Sequence, residues 1–130
     1  MQFYLLPFPP SINRLYRYTN KGVYKTAAWN AWRDNAIYFI SQQKSERAPT
    51  IEHKVAVEMA AGRPDKRKRD LDNLTKATFD FLQTYIPGVI IIKDDSLIER
   101  YEVYWASGVV GIQVMIKELD GLQAEAFVDL

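Results

Sequence analysis

Arg63-Pro64-Asp65-Lys66-Arg67-Lys68-Arg69 runs directly into Asp70-Leu71-Asp72-Asn73-Leu74-Thr75-Lys76-Ala77. Three changes of character fall inside this stretch. Gly62-Arg63-Pro64 ends the preceding strand, because proline removes a ladder donor and restricts its neighbour. Five of the seven residues 63–69 are Lys or Arg, so the next segment is a solvated basic loop. From Leu71 onward Leu71, Leu74, Thr78, Leu82 and Tyr85 return at helical spacing, which predicts a helix over 71–85 with Asp72 as its N-cap. Strand, basic loop and helix therefore follow one another, with the acidic residues at the last junction.

Working upstream, residues 51–60 alternate at period two and predict a strand with Ile51, Val55, Val57 and Met59 inward. His53, the only histidine, shares that parity and reads as a partly buried strand residue rather than a base or ligand. Thr26 is placed to cap a helix over 27–44 whose apolar face is Trp29, Trp32, Ala36, Phe39 and Ile40. Asn20-Lys21-Gly22 is a turn between two short strands, and residues 2–7 form a further short strand. Pro9-Pro10-Ser11-Ile12-Asn13-Arg14 predicts a rigid extended entry, not a helix.

Downstream, Pro87-Gly88 stops the helix and 89–92 follows as a short strand. After Asp94-Asp95 come two alternating strands, 97–105 and 109–119, joined through Ala106-Ser107-Gly108 as a hairpin. In the second, Val110, Ile112, Val114 and Ile116 face one way. Residues 1–119 thus read as a single domain, and 120–130 as an acidic, flexible C-terminal tail.

The composition, 48% hydrophobic and 25% charged over 130 residues, is ordinary for a globular chain. Cysteine is absent, which excludes disulfides and thiolate-bound zinc and fits a reducing compartment. The start of the chain lacks the charged leader and apolar run of a secretion signal, and no run is long enough for a membrane helix. The net charge of +1 conceals an asymmetry: residues 1–69 carry 13 Lys and Arg against 5 Asp and Glu, residues 70–130 carry 4 against 11. Such a split suits a polyanion-binding half beside an acidic, cation-binding half, and equally two solvated surfaces.

The acidic residues carry the chemistry. Asp70 and Asp72 lie on one side if the backbone between them is extended. With Asp94 or Asp95 arriving from the next strand, they would form a cluster that repels itself until a hard cation such as Mg²⁺ binds. That metal would polarise a phosphoryl oxygen and activate water. Lys76, four residues after Asp72, shares its helical face and is placed to stabilise negative charge building on phosphorus, or simply to pair with Asp72 or Asp80. Lys66, Arg67, Lys68 and Arg69 suit a phosphate chain, as do Arg14 and Arg17 among the tyrosines of the N-terminal hairpin.

The run Arg69 to Ala77, then Phe79-Asp80, then Asp94-Asp95-Ser96, resembles the signature of the RusA-type Holliday junction resolvases. Pro7-Phe8-Pro9-Pro10-Ser11-Ile12-Asn13-Arg14 and Trp32-Arg33-Asp34-Asn35 resemble it too. The resemblance implies a small homodimeric α/β protein, an α+β-type mixed sheet packed with two main helices. It implies binding of four-way DNA junctions and symmetric, Mg²⁺-dependent cleavage of two strands of like polarity, with Mn²⁺ able to substitute. Its essential carboxylates, also the metal ligands, fall on Asp70, Asp72 and Asp95, and its catalytic lysine on Lys76. The setting implied is the cytoplasm of a bacterial or phage-infected cell, in recombination and repair. Two departures stand out: the connection from Asp80 to Asp94 is a few residues longer than usual, and residues after Leu119 have no match. The competing readings are a branched-DNA-binding architectural protein that does not cut, and a nuclease preferring flaps or single strands.

Overall fold

Alternation in the segment Val55–Ala61 places Val55, Val57, Met59 and Ala61 on one face, and all four are buried. A computed structural model describes residues 2–43, 49–83 and 91–119. In chain order they form β1 (Gln2–Leu6), α1 (Ile12–Leu15), β2 (Tyr16–Thr19), β3 (Gly22–Lys25), α2 (Ala27–Gln43), β4 (Val55–Ala61), α3 (Asp72–Leu82), a 3₁₀ turn (Asp95–Leu97), β5 (Ile98–Trp105) and β6 (Ile112–Glu118). The main sheet has the order β1-β6-β4-β5, and β2 and β3 pair separately. β4 is parallel to β5, with Val57 opposite Tyr101, and antiparallel to β6, with Val57 opposite Ile116. The architecture is mixed α+β: one mixed sheet and few helices.

The inward residues of β1, β4 and β6 form one buried cluster with Trp29, Trp32 and Ala36 of α2 and Leu74, Ala77, Phe81 and Leu82 of α3. Both helices thus cover the same face. Aromatic rings run in series from the hairpin to α3: Tyr16 to Trp29 at 5.8 Å, Trp29 to Trp32 at 5.4 Å, and Trp32 to Phe81 at 5.7 Å. Such pairs contribute about 0.5–1.5 kcal/mol each beyond the area they bury. They fix α3 relative to the hairpin, which matters for the site below. Thr26 caps α2 as expected, its Oγ1 accepting the Trp29 N–H at 3.3 Å.

Several expectations need correction. β5 and β6 do not form a hairpin: β4 lies between them. Alternation reports which face of a strand is buried and says nothing of its neighbour. The crossing occurs at Gly62, where an added Cβ would sit 1.7 Å from the Val109 carbonyl oxygen. The Gly62 N–H donates to the Gly111 carbonyl at 2.9 Å there. Val110 lies in this crossing loop and is exposed, unlike Ile112, Val114 and Ile116. Residues 12–15, expected extended, make one helical turn, with the Arg14 and Leu15 N–H groups donating to the Ser11 carbonyl. The proline constraint stops before Ile12. His53 is exposed in a bend, because β4 begins only at Val55. Ile51 remains buried and makes an isolated parallel bridge to Ile92. The expected end of α2 at Lys44, residues 84–85 of the 71–85 helix, the Pro87-Gly88 break, residues 89–90 of the 89–92 strand and the 120–130 tail lie outside the described residues.

Candidate active site

The basic loop between β4 and α3 is folded around one acidic residue. Asp65 accepts the Arg67 backbone N–H at 3.0 Å and Arg67 Nε at 3.1 Å. It also takes Arg69 Nε at 3.3 Å and Nη2 at 2.8 Å. The Arg69 guanidinium, followed by the Arg67 N–H, holds the Asp65 carboxyl well below the usual carboxylate range, and Asp65 raises Arg69 in turn. The loop's ends rest on rings: Arg63 lies 4.3 Å from the Trp105 centroid and Arg69 5.4 Å from that of Phe8. Phe8 and Trp105 are themselves stacked at 6.2 Å. Lys66 and Lys68 are exposed. Arg14 in α1 and Arg17 in β2, the strand that carries Tyr16, are exposed too.

Asp70 and Asp72 stand where this loop enters α3. Leu71, not Asp72, is the N-cap, with helical φ −63° and ψ −38°, and Asp72 is the first helical residue. The backbone between the two aspartates is therefore turned rather than extended, since the helix begins one residue earlier than a capping Asp72 requires. Both carboxylates are exposed, and neither has a side-chain hydrogen bond or ion pair among the described residues. Asp70 borders a cleft of about 470 Å³ formed with Phe8, Pro9, Pro10, Lys68, Arg69 and Asn73. Two free carboxylates on a helix start, beside a basic cleft, fit a hard cation such as Mg²⁺, which is commonly held by one or two carboxylates together with substrate phosphate.

The later doublet is placed elsewhere. Asp94 Oδ1 accepts the Ser96 N–H at 2.8 Å and caps the 3₁₀ turn, a bond that holds its carboxyl below the usual range. The Asp95 N–H donates to Gln83 Oε1 at 2.9 Å. Gln83 follows the last residue of α3, whereas Asp72 opens it. Eleven residues at the α-helical rise separate those ends by about 16 Å. Among the described residues no group of three or more His, Cys, Asp or Glu is close enough to hold a metal. One chain thus presents Asp70 and Asp72 at one end of α3 and Asp95 at the other.

Lys76 is held from two sides. Its Nζ lies 3.5 Å from Asp80 Oδ2 and 4.5 Å from the Tyr16 ring centroid. Tyr16 Oη donates to the same Asp80 oxygen at 2.7 Å. Burial, and then the bond to Asp80, push the Tyr16 phenol far above its ordinary pKa. The spacing of Asp80 four residues after Lys76 announces this pair, but nothing in the sequence marks Tyr16 among its neighbouring tyrosines, and nothing marks the pairing of Arg63 with Trp105.

Comparison with known proteins gives one consistent result. The family described as Endodeoxyribonuclease RusA matches residues 7–117. A "Crossover junction endodeoxyribonuclease RusA" of Escherichia coli strain K12 is 40% identical over 77 residues, 59% of this chain and 62% of the relative. The protein of the same name from Enterobacteria phage 82 has the same identity and coverage. One from Escherichia coli O139:H28 is 37% identical over 98 residues, 75% of this chain and 77% of the relative. The matched stretch spans 62% of the length of the first two.

Proposed function

The chain belongs to the RusA endodeoxyribonuclease family, and we propose that it resolves four-way DNA junctions by paired cleavage of two strands of like polarity. The observation that carries this reading is the start of α3: Asp70 and Asp72, exposed and unpartnered among the described residues, a basic loop before them and Lys76 one turn after. A protein that only binds DNA gains nothing from free carboxylates beside its phosphate-binding loop.

In this reading Asp70 and Asp72 hold a divalent cation, Mg²⁺ or Mn²⁺ in its place, with Asp95 of the partner subunit as a third donor. Of the later doublet, Asp94 is occupied in capping a turn, which supports the assignment of Asp95. When bound, the cation supplies Lewis-acid polarisation of a phosphoryl oxygen and a water of lowered pKa. Lys76 stabilises charge accumulating on the phosphorus centre. Lys66, Arg67, Lys68 and Arg69, with Arg14 and Arg17, hold the sugar-phosphate backbone. The working unit is a homodimer, which suits a substrate of near-twofold symmetry. Residues 1–119 form the nuclease domain and 120–130 an appended tail. Relatives from bacteria and a phage support a role in recombination and repair in the cytoplasm of a bacterial or phage-infected cell. Among the described residues no helix is long and apolar enough to cross a membrane.

The test is cleavage of an end-labelled four-way junction in Mg²⁺ and in EDTA. Asp72→Asn is expected to keep junction binding and to lose cleavage by about a hundredfold or more, since a metal supplies several kcal/mol of transition-state stabilisation. Nicking by Asp72→Asn at the wild-type rate would remove that residue from the mechanism. Binding without cleavage in either buffer would favour an architectural role, and faster cutting of a flap would make the junction a secondary substrate.

A further inference from the structure

The structure assigns Tyr16 and Asp80 as positioning residues for Lys76: together they bracket its ammonium group and hold it to Asp80 rather than Asp72. This rests on the reading of Lys76 as the catalytic lysine.

Helix geometry alone points the other way. An acid four residues before a lysine makes the better-oriented pair, so Asp72 is the partner that α3 by itself would supply. Lys76 instead meets Asp80, four residues later, with Nζ 3.5 Å from Oδ2. A third group accounts for that choice. Tyr16 is buried, its ring 5.8 Å from that of Trp29, so the phenol is fixed by the core rather than by the site. Its hydroxyl donates to Asp80 Oδ2 at 2.7 Å, and its ring face lies 4.5 Å from Lys76 Nζ. Asp80 is thereby locked, and the ammonium group has a carboxylate on one side and an aromatic face on the other.

Two consequences follow. A lysine on a four-carbon stem has its rotamer freedom narrowed before substrate arrives, which is the positioning a transition state requires. Asp72 is left without an ion pair among the described residues, so its charge is available to a metal. Burial, and then the bond to Asp80, push the Tyr16 phenol above its ordinary pKa, which favours its role as a donor to Asp80.

The test combines three variants with two readouts. Tyr16→Phe keeps the ring and removes the donor, Asp80→Asn keeps the shape and removes the charge, and Lys76→Ala removes the group they act on. Single-turnover cleavage of the labelled junction is expected to fall about tenfold in the first two, with junction affinity within about twofold, because misplacing a catalytic group costs rate rather than binding. Amine labelling followed by mass spectrometry is the second readout: Lys76 is expected to react more slowly than Lys66 and Lys68 in the native protein, and about as fast as them in Tyr16→Phe and Asp80→Asn. Labelling of Lys76 that neither substitution changes overturns the proposal, as does wild-type cleavage by both. If Lys76→Ala itself cleaves normally, the catalytic assignment of Lys76 fails instead, and the labelling result still reports on the bracket.

Discussion

Asp65 is one carboxylate among five Lys and Arg residues, and it determines which of them keep their charge uncompensated. Arg67 and Arg69 are both bonded to it, while Lys66 and Lys68 are exposed without an ion pair among the described residues. The two lysines are therefore expected to carry more of the salt-dependent binding than the two arginines. Lys66→Ala with Lys68→Ala should flatten the plot of log affinity against log salt by about 0.9 for each phosphate no longer neutralised, and Arg67→Ala by less. An unchanged slope would place the DNA elsewhere. The sign of the pH dependence follows from the direction of the Asp65 shift. Its folded pKa lies below the unfolded value of about 3.9, so its contribution is complete above that pH and is lost only as pH falls through the lower folded value. The carboxyl carbon of Asp65, followed by NMR, should not titrate between pH 7 and about 4; a midpoint at the ordinary value would mean that the clamp is absent in solution. At this scale the sequence shows the chemistry of a residue and not its partner. Asp70, Asp72 and Lys76 stand out by spacing. The choice of Asp80 over Asp72 by Lys76 is set by Tyr16, sixty-four residues from Asp80 in the chain.

Elements were more legible than their neighbours. The helical face of 71–85 is legible because apolar residues at a 3.6-residue period line up on one side of a helix and on no side of a strand, and Leu74, Thr78 and Leu82 are buried as it requires. The strands of residues 98–105 and 112–118 are legible in the same way, at period two. Their pairing is not, because both edges of β4 were open to them and no local signal distinguishes a hairpin from a crossing over the strand between. The physical mark of the crossing is a glycine whose meaning appears only in three dimensions. Gly62 has no Cβ to collide with the Val109 carbonyl, and an added one would lie 1.7 Å from that oxygen. Gly62→Ala must therefore displace backbone rather than a side chain. Overpacking of this kind costs about 1–3 kcal/mol, occasionally more, which urea denaturation would register as a lower midpoint at unchanged slope. A wild-type midpoint would show that the loop from β5 to β6 does not pass over Gly62.

At the scale of the whole molecule the basic and acidic halves of the chain are interleaved in one sheet. Strands from the basic half, β1 and β4, alternate in the sheet with β6 and β5 from the acidic half, so the two halves of the chain are not two halves of the fold. What does remain divided is the carboxylate set. Asp72 opens α3 and Asp95 is tied to Gln83 just past its end, about 16 Å away along the axis. A second protomer related by a twofold axis would offer a resolution: in an isologous contact Asp95 of each chain would meet Asp70 and Asp72 of the other, twice by symmetry. This arrangement has a consequence that a site within one chain lacks. Asp72→Asn and Asp95→Asn should each be inactive alone. In a mixed dimer of the two, one site combines both substitutions, while the other combines an intact Asp72 from one chain with an intact Asp95 from its partner. Mixing the two inactive proteins under conditions of subunit exchange should therefore restore nicking of a single strand, at up to about a quarter of the wild-type site concentration if exchange is random. If each site were built within one chain, every site in the mixed dimer would carry one substitution and no activity would return. Recovery of single-strand nicking thus tests the dimer and the shared site together, and silence in a mixture verified to contain mixed dimers returns Asp95 to its own chain or removes it from the metal.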